Sequence, residues 1–145
     1  MSKTEDFLSK AEEQEIVHAI VEAEKNTSGE IRVHIEEHTK KSPLERAQEV
    51  FFELKMDETQ DRNGILFYMC VSDKKFAIIG DKGINEAVES DFWDCTKNTV
   101  ITNFKEGNFK KGLVEGILRT GERLKKYFPY QSDDTNELSN EISRN

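Results

Sequence analysis

The residues best suited to chemistry stand at the two ends of one stretch, Asp61 to Gly83, which reads DRNGILFYMCVSDKKFAIIGDKG. Asp61-Arg62-Asn63-Gly64 opens it and Gly80-Asp81-Lys82-Gly83 closes it. Between them, Ile65 to Val71 are apolar without a break, and a polar run, Ser72 to Lys75, separates them from the apolar Phe76 to Ile79. Two apolar runs joined by a short polar loop predict a β-hairpin, and folding it sets the two polar ends side by side. Carboxylates with an Asn side chain and backbone carbonyls form a donor set for a hard cation such as calcium or magnesium.

Strand direction extends this set. Glu30-Ile31-Arg32-Val33-His34-Ile35-Glu36 alternates polar and apolar residues, which predicts a strand with one wetter face. A helix follows it, announced by Ser42-Pro43 and by the apolar face Leu44, Ala47, Val50, Phe51 and Leu54. Strand, helix, strand is a right-handed crossover, so the strands starting at Glu30 and Ile65 are parallel. Glu30, Asp61 and Asn63 then start parallel strands, while Asp81 ends an antiparallel one. All fall at one edge of the sheet, and Asp91, at the start of the next helix, belongs near it. The alternative is that Asp81 and Asp91 are turn and helix-cap residues, and that Arg62 or Lys82 pairs with a carboxylate.

Several chemistries are excluded. Asp61-Arg62-Asn63-Gly64 matches the middle of a calcium loop, but Thr59 stands where such a loop starts with Asp and Cys70 where it ends with Glu. Neither cysteine begins C-x5-R, and there is no G-x-S-x-G, glycine-rich phosphate loop or Cys/His zinc spacing. His34 and His38 are four apart, which on a strand does not bring two imidazoles to one ion, and His18 belongs to a polar helix side.

The remaining elements complete the scaffold. Ser9 with Glu12 forms a capping box ahead of a helix with Ile16, Ala19, Ile20 and Ala23 inward. A helix from Asp91 to Lys105 turns Phe92, Val100, Ile101 and Phe104 inward, preceded by a short turn from Ile84 to Val88. The last helix runs from Phe109 to Tyr127 on Leu113, Val114, Ile117, Leu118 and Leu124, and Pro129 stops it. Gly112 and Gly116 share a face of it, which points to close helix packing. The expected architecture is an α/β/α sandwich: a small mixed sheet, made of a parallel crossover plus an antiparallel hairpin, with the Ile65 strand central and helices on both faces. Residues 1–8 are read as a flexible N-terminus, 9–129 as the domain, and 130–145 as a disordered acidic tail.

Composition narrows the partners. The 145-residue chain is 34% charged and carries a net charge of −8, which disfavours nucleic acid. Cys70 and Cys95 make no disulfide framework. No apolar stretch approaches a membrane span, and the N-terminus has no apolar h-region. The chain is read as cytoplasmic and monomeric, with no membrane insertion and with any protein partner unknown.

Taken in order, Thr27 to Val33, Asp61 to Leu66, Phe76 to Ile84, Phe92-Trp93 and Tyr127-Phe128-Pro129 resemble the TPM domain family, in its short soluble bacterial branch. The resemblance spans Ser9 to Pro129 and implies the same α/β/α sandwich. Plant relatives look like acid phosphatases and thylakoid proteins of photosystem II repair; others are membrane-anchored or receptor accessory proteins. It also implies divalent cation binding, with Asp61, Asp81 and Asp91 at the matching acidic positions and Glu30 at the matching strand start. Met56-Asp57 stands where the branch often has a histidine. Three functions follow as expectations. The first is a domain binding calcium or magnesium through Asp61, Asp81 and Asp91, with Glu30 and Asn63. The second is metal-assisted hydrolysis of a phosphomonoester, with Arg62 or Lys82 holding the phosphate. The third is a protein-interaction or accessory module.

Overall fold

A computed structural model of the chain describes residues 9–59, 62–71, 75–89, 91–129 and 142–144. Helix α1 (Lys10–Glu24) leads to strand β1 (Glu30–Glu36), helix α2 (Pro43–Glu53) and a 3-10 turn at Met56–Glu58. Strands β2 (Gly64–Cys70) and β3 (Lys75–Gly80) follow, then helices α3 (Lys82–Ala87), α4 (Asp94–Lys105) and α5 (Phe109–Leu124), and strand β4 (Ser143–Arg144). The sheet order is β3-β2-β1-β4. β1 and β2 are parallel, in register Glu30 to Gly64 through Glu36 to Cys70, and β3 is antiparallel to β2. This is the expected α/β/α sandwich with β2 inside.

The helix starts follow from local chemistry. Ser9 Oγ accepts from Glu12 N–H while the Glu12 carboxylate accepts from Ser9 N–H, the reciprocal capping box of α1. Ser42 caps α2 and Pro43 occupies its first turn. Asp81 caps α3, a helix that begins two residues earlier than the turn expected at Ile84. Asp91 to Trp93 form a turn ahead of α4.

The unbroken apolar run of β2 is explained by two covered faces. Ile65, Phe67 and Met69 point with Ile31, Val33 and Ile35 into a core closed by α1 and α5. Leu66, Tyr68 and Cys70 point the other way, against Ala47, Val50 and Phe51 of α2. Burying one such aliphatic or aromatic side chain contributes about 1.5–3 kcal/mol. The segments after α1 and α5 are tied together: Ser28 N–H donates to the Phe128 carbonyl at 2.9 Å, and Thr27 Oγ1 donates to the same oxygen.

Four expectations change. The polar face of β1 is not wet: Glu30, His34 and Glu36 are all buried, and at Glu36 Arg46 of α2 and Tyr68 supply the polar partners. Leu44 and Ile101 are 52% and 40% exposed, since each sits at the rim of its helix facing a surface groove instead of the sheet. Leu118 is likewise exposed at the α1–α5 surface. The segment read as a tail carries β4, beside β1, while residues 1–8 and 130–141 lie outside the described residues.

Glycine sets the helix spacing. A Cβ on Gly116 would meet Val100 Cγ2 at 2.6 Å, and one on Gly112 would meet side-chain atoms of Asn103 and Phe104 at 3.1 Å. Gly121 is tightest against backbone: its Cβ would lie 2.8 Å from Ala23 Cα and 2.9 Å from the Ala23 carbonyl oxygen. Alanine gains about 1 kcal/mol of helix propensity over glycine, whereas overpacking against an unyielding neighbour costs about 1–3 kcal/mol. Gly121→Ala is therefore expected to destabilise the fold by about 1–2 kcal/mol in urea unfolding. Gly112→Ala, which meets only side chains, is expected to change the midpoint much less.

Candidate functional site

The strand-end corner assembles as strand direction requires. Glu30 N–H donates to the Asn63 carbonyl at 3.1 Å, and Asp81 N–H donates to the Gly64 carbonyl at 2.9 Å. Gly83 N–H closes the corner on the Arg62 carbonyl at 2.9 Å. Three backbone bonds thus hold Glu30, Asn63 and Asp81 at one edge, and all three residues are buried. Asn63 Nδ2 donates to the Ser28 carbonyl at 3.0 Å.

Asp81 already has work. Arg62 Nε and Nη2 donate to its two carboxylate oxygens at 2.8 and 2.9 Å, and its Oδ1 also accepts from Lys82 N–H at 2.7 Å. This bidentate pair raises the Arg62 guanidinium pKa above its ordinary value. Arg62 has φ +50°, a left-handed backbone that a non-glycine residue adopts at a cost. Its side chain is 44% exposed, against 5% for Asp81. Lys82 lies on the surface 3.9 Å from Glu86. Asp91 is exposed in the turn before α4, and Asp61 lies outside the described residues. Among the described residues, no three His, Cys, Asp or Glu side chains converge closely enough to hold a metal ion.

A carboxyl that pattern reading passed over stands nearby. Glu24, in the last turn of α1, accepts from Ile31 N–H at 3.0 Å. Burial pushes its pKa up to about 7; the Ile31 hydrogen bond opposes the rise and the Glu30 charge adds to it. The signal was present as a glutamate seven residues before the first inward residue of β1, but nothing in a helix pattern says that its last turn reaches a strand edge.

A second polar group lies at the opposite end of β1. Arg46 Nη2 donates to Glu36 Oε1 at 2.7 Å and Arg46 Nε donates to Glu36 Oε2 at 2.9 Å. Tyr68 Oη donates to Oε2 at 2.6 Å. His34 Nε2 is 3.4 Å from Glu36 Oε1, and its ring lies 6.0 Å from that of Tyr68 at 12°. Arg46 also donates to Glu49 and Glu53, each at 3.1 Å. Burial alone would raise the Glu36 pKa, but the Arg46 and Tyr68 hydrogen bonds hold it below the usual carboxylate range. Burial pushes the Tyr68 hydroxyl up and the His34 imidazole down. Residues Glu36 to Lys41 and Arg46 line an open depression of about 530 Å³ over this group. Arg46 and Tyr68 already hold the buried Glu36 carboxylate, so the group fixes α2 on the sheet. Tyr68 within an apolar run was the sequence cue, since a buried phenol needs a partner.

The Glu24 shift fixes a pH dependence. A folded pKa of about 7 against 4.5 unfolded means the native state keeps a proton that the unfolded chain releases first. Stability from this group is full below pH 4.5 and falls as pH rises toward 7. Glu24→Gln is expected to stabilise the fold at pH 8, by up to about 3 kcal/mol, and to make little difference at pH 4.5. Urea unfolding of both proteins at the two pH values checks this.

A TPM domain family model matches residues 1–123. Among solved structures, the BA42 protein of the psychrophilic bacterium Bizionia argentinensis is 55% identical, with a TM-score of 0.93 and 100% of each chain covered. An N-terminal domain of a P. gingivalis protein superimposes with a TM-score of 0.68 at 17% identity, over 84% of this chain and 79% of that one. The N-terminal domain of the cg2496 protein of Corynebacterium glutamicum does so with a TM-score of 0.64 at 11% identity, over 93% and 79%. These two likenesses concern the fold. No curated protein matches. Among the described residues, no helix is long and apolar enough to cross a membrane.

Proposed function

The chain belongs to the TPM domain family, and within it we propose a divalent-cation-binding domain whose site is the corner formed by Asp81, Asn63 and Glu30, completed by Asp61. The observation that carries this reading is the Asp81 carboxylate. It is buried, its residue is tied to the start of β2 through the bond from Asp81 N–H to the Gly64 carbonyl, and its charge partner is an exposed, left-handed arginine. Oxygen donors of this kind suit calcium or magnesium. Arg62 is the resident counter-ion, and binding requires its side chain to leave Asp81. Lys82 N–H still donates to the carboxylate when it does, and Asp81 N–H stays on the Gly64 carbonyl. Asp91, exposed in its turn before α4, does not converge with Asp81 and Glu30 in this arrangement and is left out of the proposed site.

Arg62 and Lys82 as anion holders are the phosphatase reading, but Arg62 is already engaged by the Asp81 carboxylate. The reading keeps the protein monomeric and cytoplasmic, without nucleic acid.

A calcium or magnesium titration followed by backbone amide shifts tests it. Asn63, Gly64, Asp81 and Lys82 are expected to move, and Asp81→Asn to abolish the response. Arg62→Ala removes the competing ion pair, whose worth in an exposed setting is up to about 1 kcal/mol, and is expected to tighten binding up to about fivefold. Amides that stay still at millimolar ion in both proteins overturn the assignment.

A further inference from the structure

The outer edge of β1 carries a different kind of site. Glu30 N–H and the Glu36 carbonyl point toward β2 and its flanks. In a parallel ladder, Ile31, Val33 and Ile35 therefore turn their backbone groups to the opposite edge. Ile31 N–H there is taken by the Glu24 carboxylate. Further along, β4 pairs Ser143 with His34 and Arg144 with Ile35, in parallel. The edge is thus blocked at its start by a side chain and filled at its middle by two residues, although β1 is seven residues long.

Side chains, not length, anchor β4. Ile142 packs on the main core and lines a depression of about 630 Å³ along α1, beside Val17 and Val21. Ser143 Oγ lies 3.0 Å from His34 Nδ1. His34 is 1% exposed, and burial favours the neutral ring. With Nε2 facing the Glu36 carboxylate, the ring proton belongs on Nε2, which leaves Nδ1 as an acceptor. Arg46 and Tyr68 fix Glu36, so Nδ1 is a rigid socket for a hydroxyl donor.

We propose that this edge is a peptide-docking site, filled in cis by Ile142–Arg144, and that an extended segment of a partner protein with an apolar residue followed by Ser or Thr displaces it by parallel strand addition. The cis segment itself defines the chemistry: an apolar side chain for the α1 depression, a hydroxyl for His34 Nδ1, and backbone groups for the edge. Displacement is within reach energetically. Net ladder hydrogen bonds contribute about 1 kcal/mol each, and β4 is only two residues long. A partner strand longer than two residues gains bonds that β4 does not make.

The test uses the full chain carrying Ile142→Asp and Ser143→Ala together, and a synthetic peptide of this chain's residues 137–145. The peptide is expected to shift the Val33, His34 and Ile35 amides of the double variant at a concentration at least tenfold lower than for the unaltered chain. Ser143→Ala alone, a milder change, is expected to fall between them, and a peptide with alanine for the serine to bind more weakly. No shift in either variant at millimolar peptide, or the same response in the unaltered chain, overturns the proposal.

Discussion

The Glu36 carboxylate is the interaction on which most of this molecule depends. It sits 4% exposed on a strand whose other face is already core, and it accepts from Arg46 on α2 and Tyr68 on β2 at once. A carboxylate taken from water without partners costs several kcal/mol, and removing one partner of such a group typically costs 3–5 kcal/mol. α2 is therefore held to β1 by a charge that tolerates one arrangement, while the apolar contacts of Ala47, Val50 and Phe51 would accept neighbouring ones. The same carboxylate faces His34 Nε2, so the fixing of α2 and the orientation of the imidazole are a single event.

That coupling separates the two ends of β1 by chemistry. At its start, two carboxyl groups stand near one another and a third is paired with an arginine. Glu24 lies close enough to Glu30 to feel its charge and keeps a proton to near neutral pH, while Asp81 relies on an arginine more exposed than itself. At its far end, the buried Glu36 carboxylate is held by Arg46 and Tyr68. A buried carboxylate with an exposed counter-ion is a setting for exchange with solution; one held by largely buried partners is a setting for rigidity. The strand carries one of each, at the two ends of its seven residues.

Much of this was legible in the sequence, for identifiable reasons. The alternation of β1, the unbroken run of β2, the Ser42-Pro43 cap and the Ser9/Glu12 box each follow from local rules, and the parallel crossover then placed Glu30, Asn63 and Asp81 at one edge. The cap reading of Asp81 and its pairing with Arg62 were also legible, because a short acid before a helix and a basic neighbour across a hairpin leave little choice. The burial of Glu36 was not. Alternation reports that one face is polar, and it cannot say that a helix ten residues later brings an arginine to that face. Ile101 and Leu44 failed for the converse reason: helical periodicity finds the apolar stripe but not where the neighbouring layer ends. Residues 142–144 escaped because three residues carry no periodicity at all.

The edge of β1 brings these strands of reasoning together. An exposed sheet edge invites pairing with foreign chains, and proteins usually blunt it with charge, a short strand or a covering segment. Here two devices share the task. The Glu24 carboxylate occupies the Ile31 N–H, where a foreign strand would otherwise begin, at the cost of holding a carboxyl in a half-buried place that favours its neutral form. β4 covers the next residues with a hydroxyl aimed at His34. A permanent cover would be expected to run the length of the strand and to bury more than one apolar side chain. This cover is two residues long and rests on one isoleucine and one hydrogen bond to a ring, which Glu36 has already oriented. The rigid part of the contact belongs to the sheet and the replaceable part to the chain end, which is the division of labour that a reversible docking edge requires.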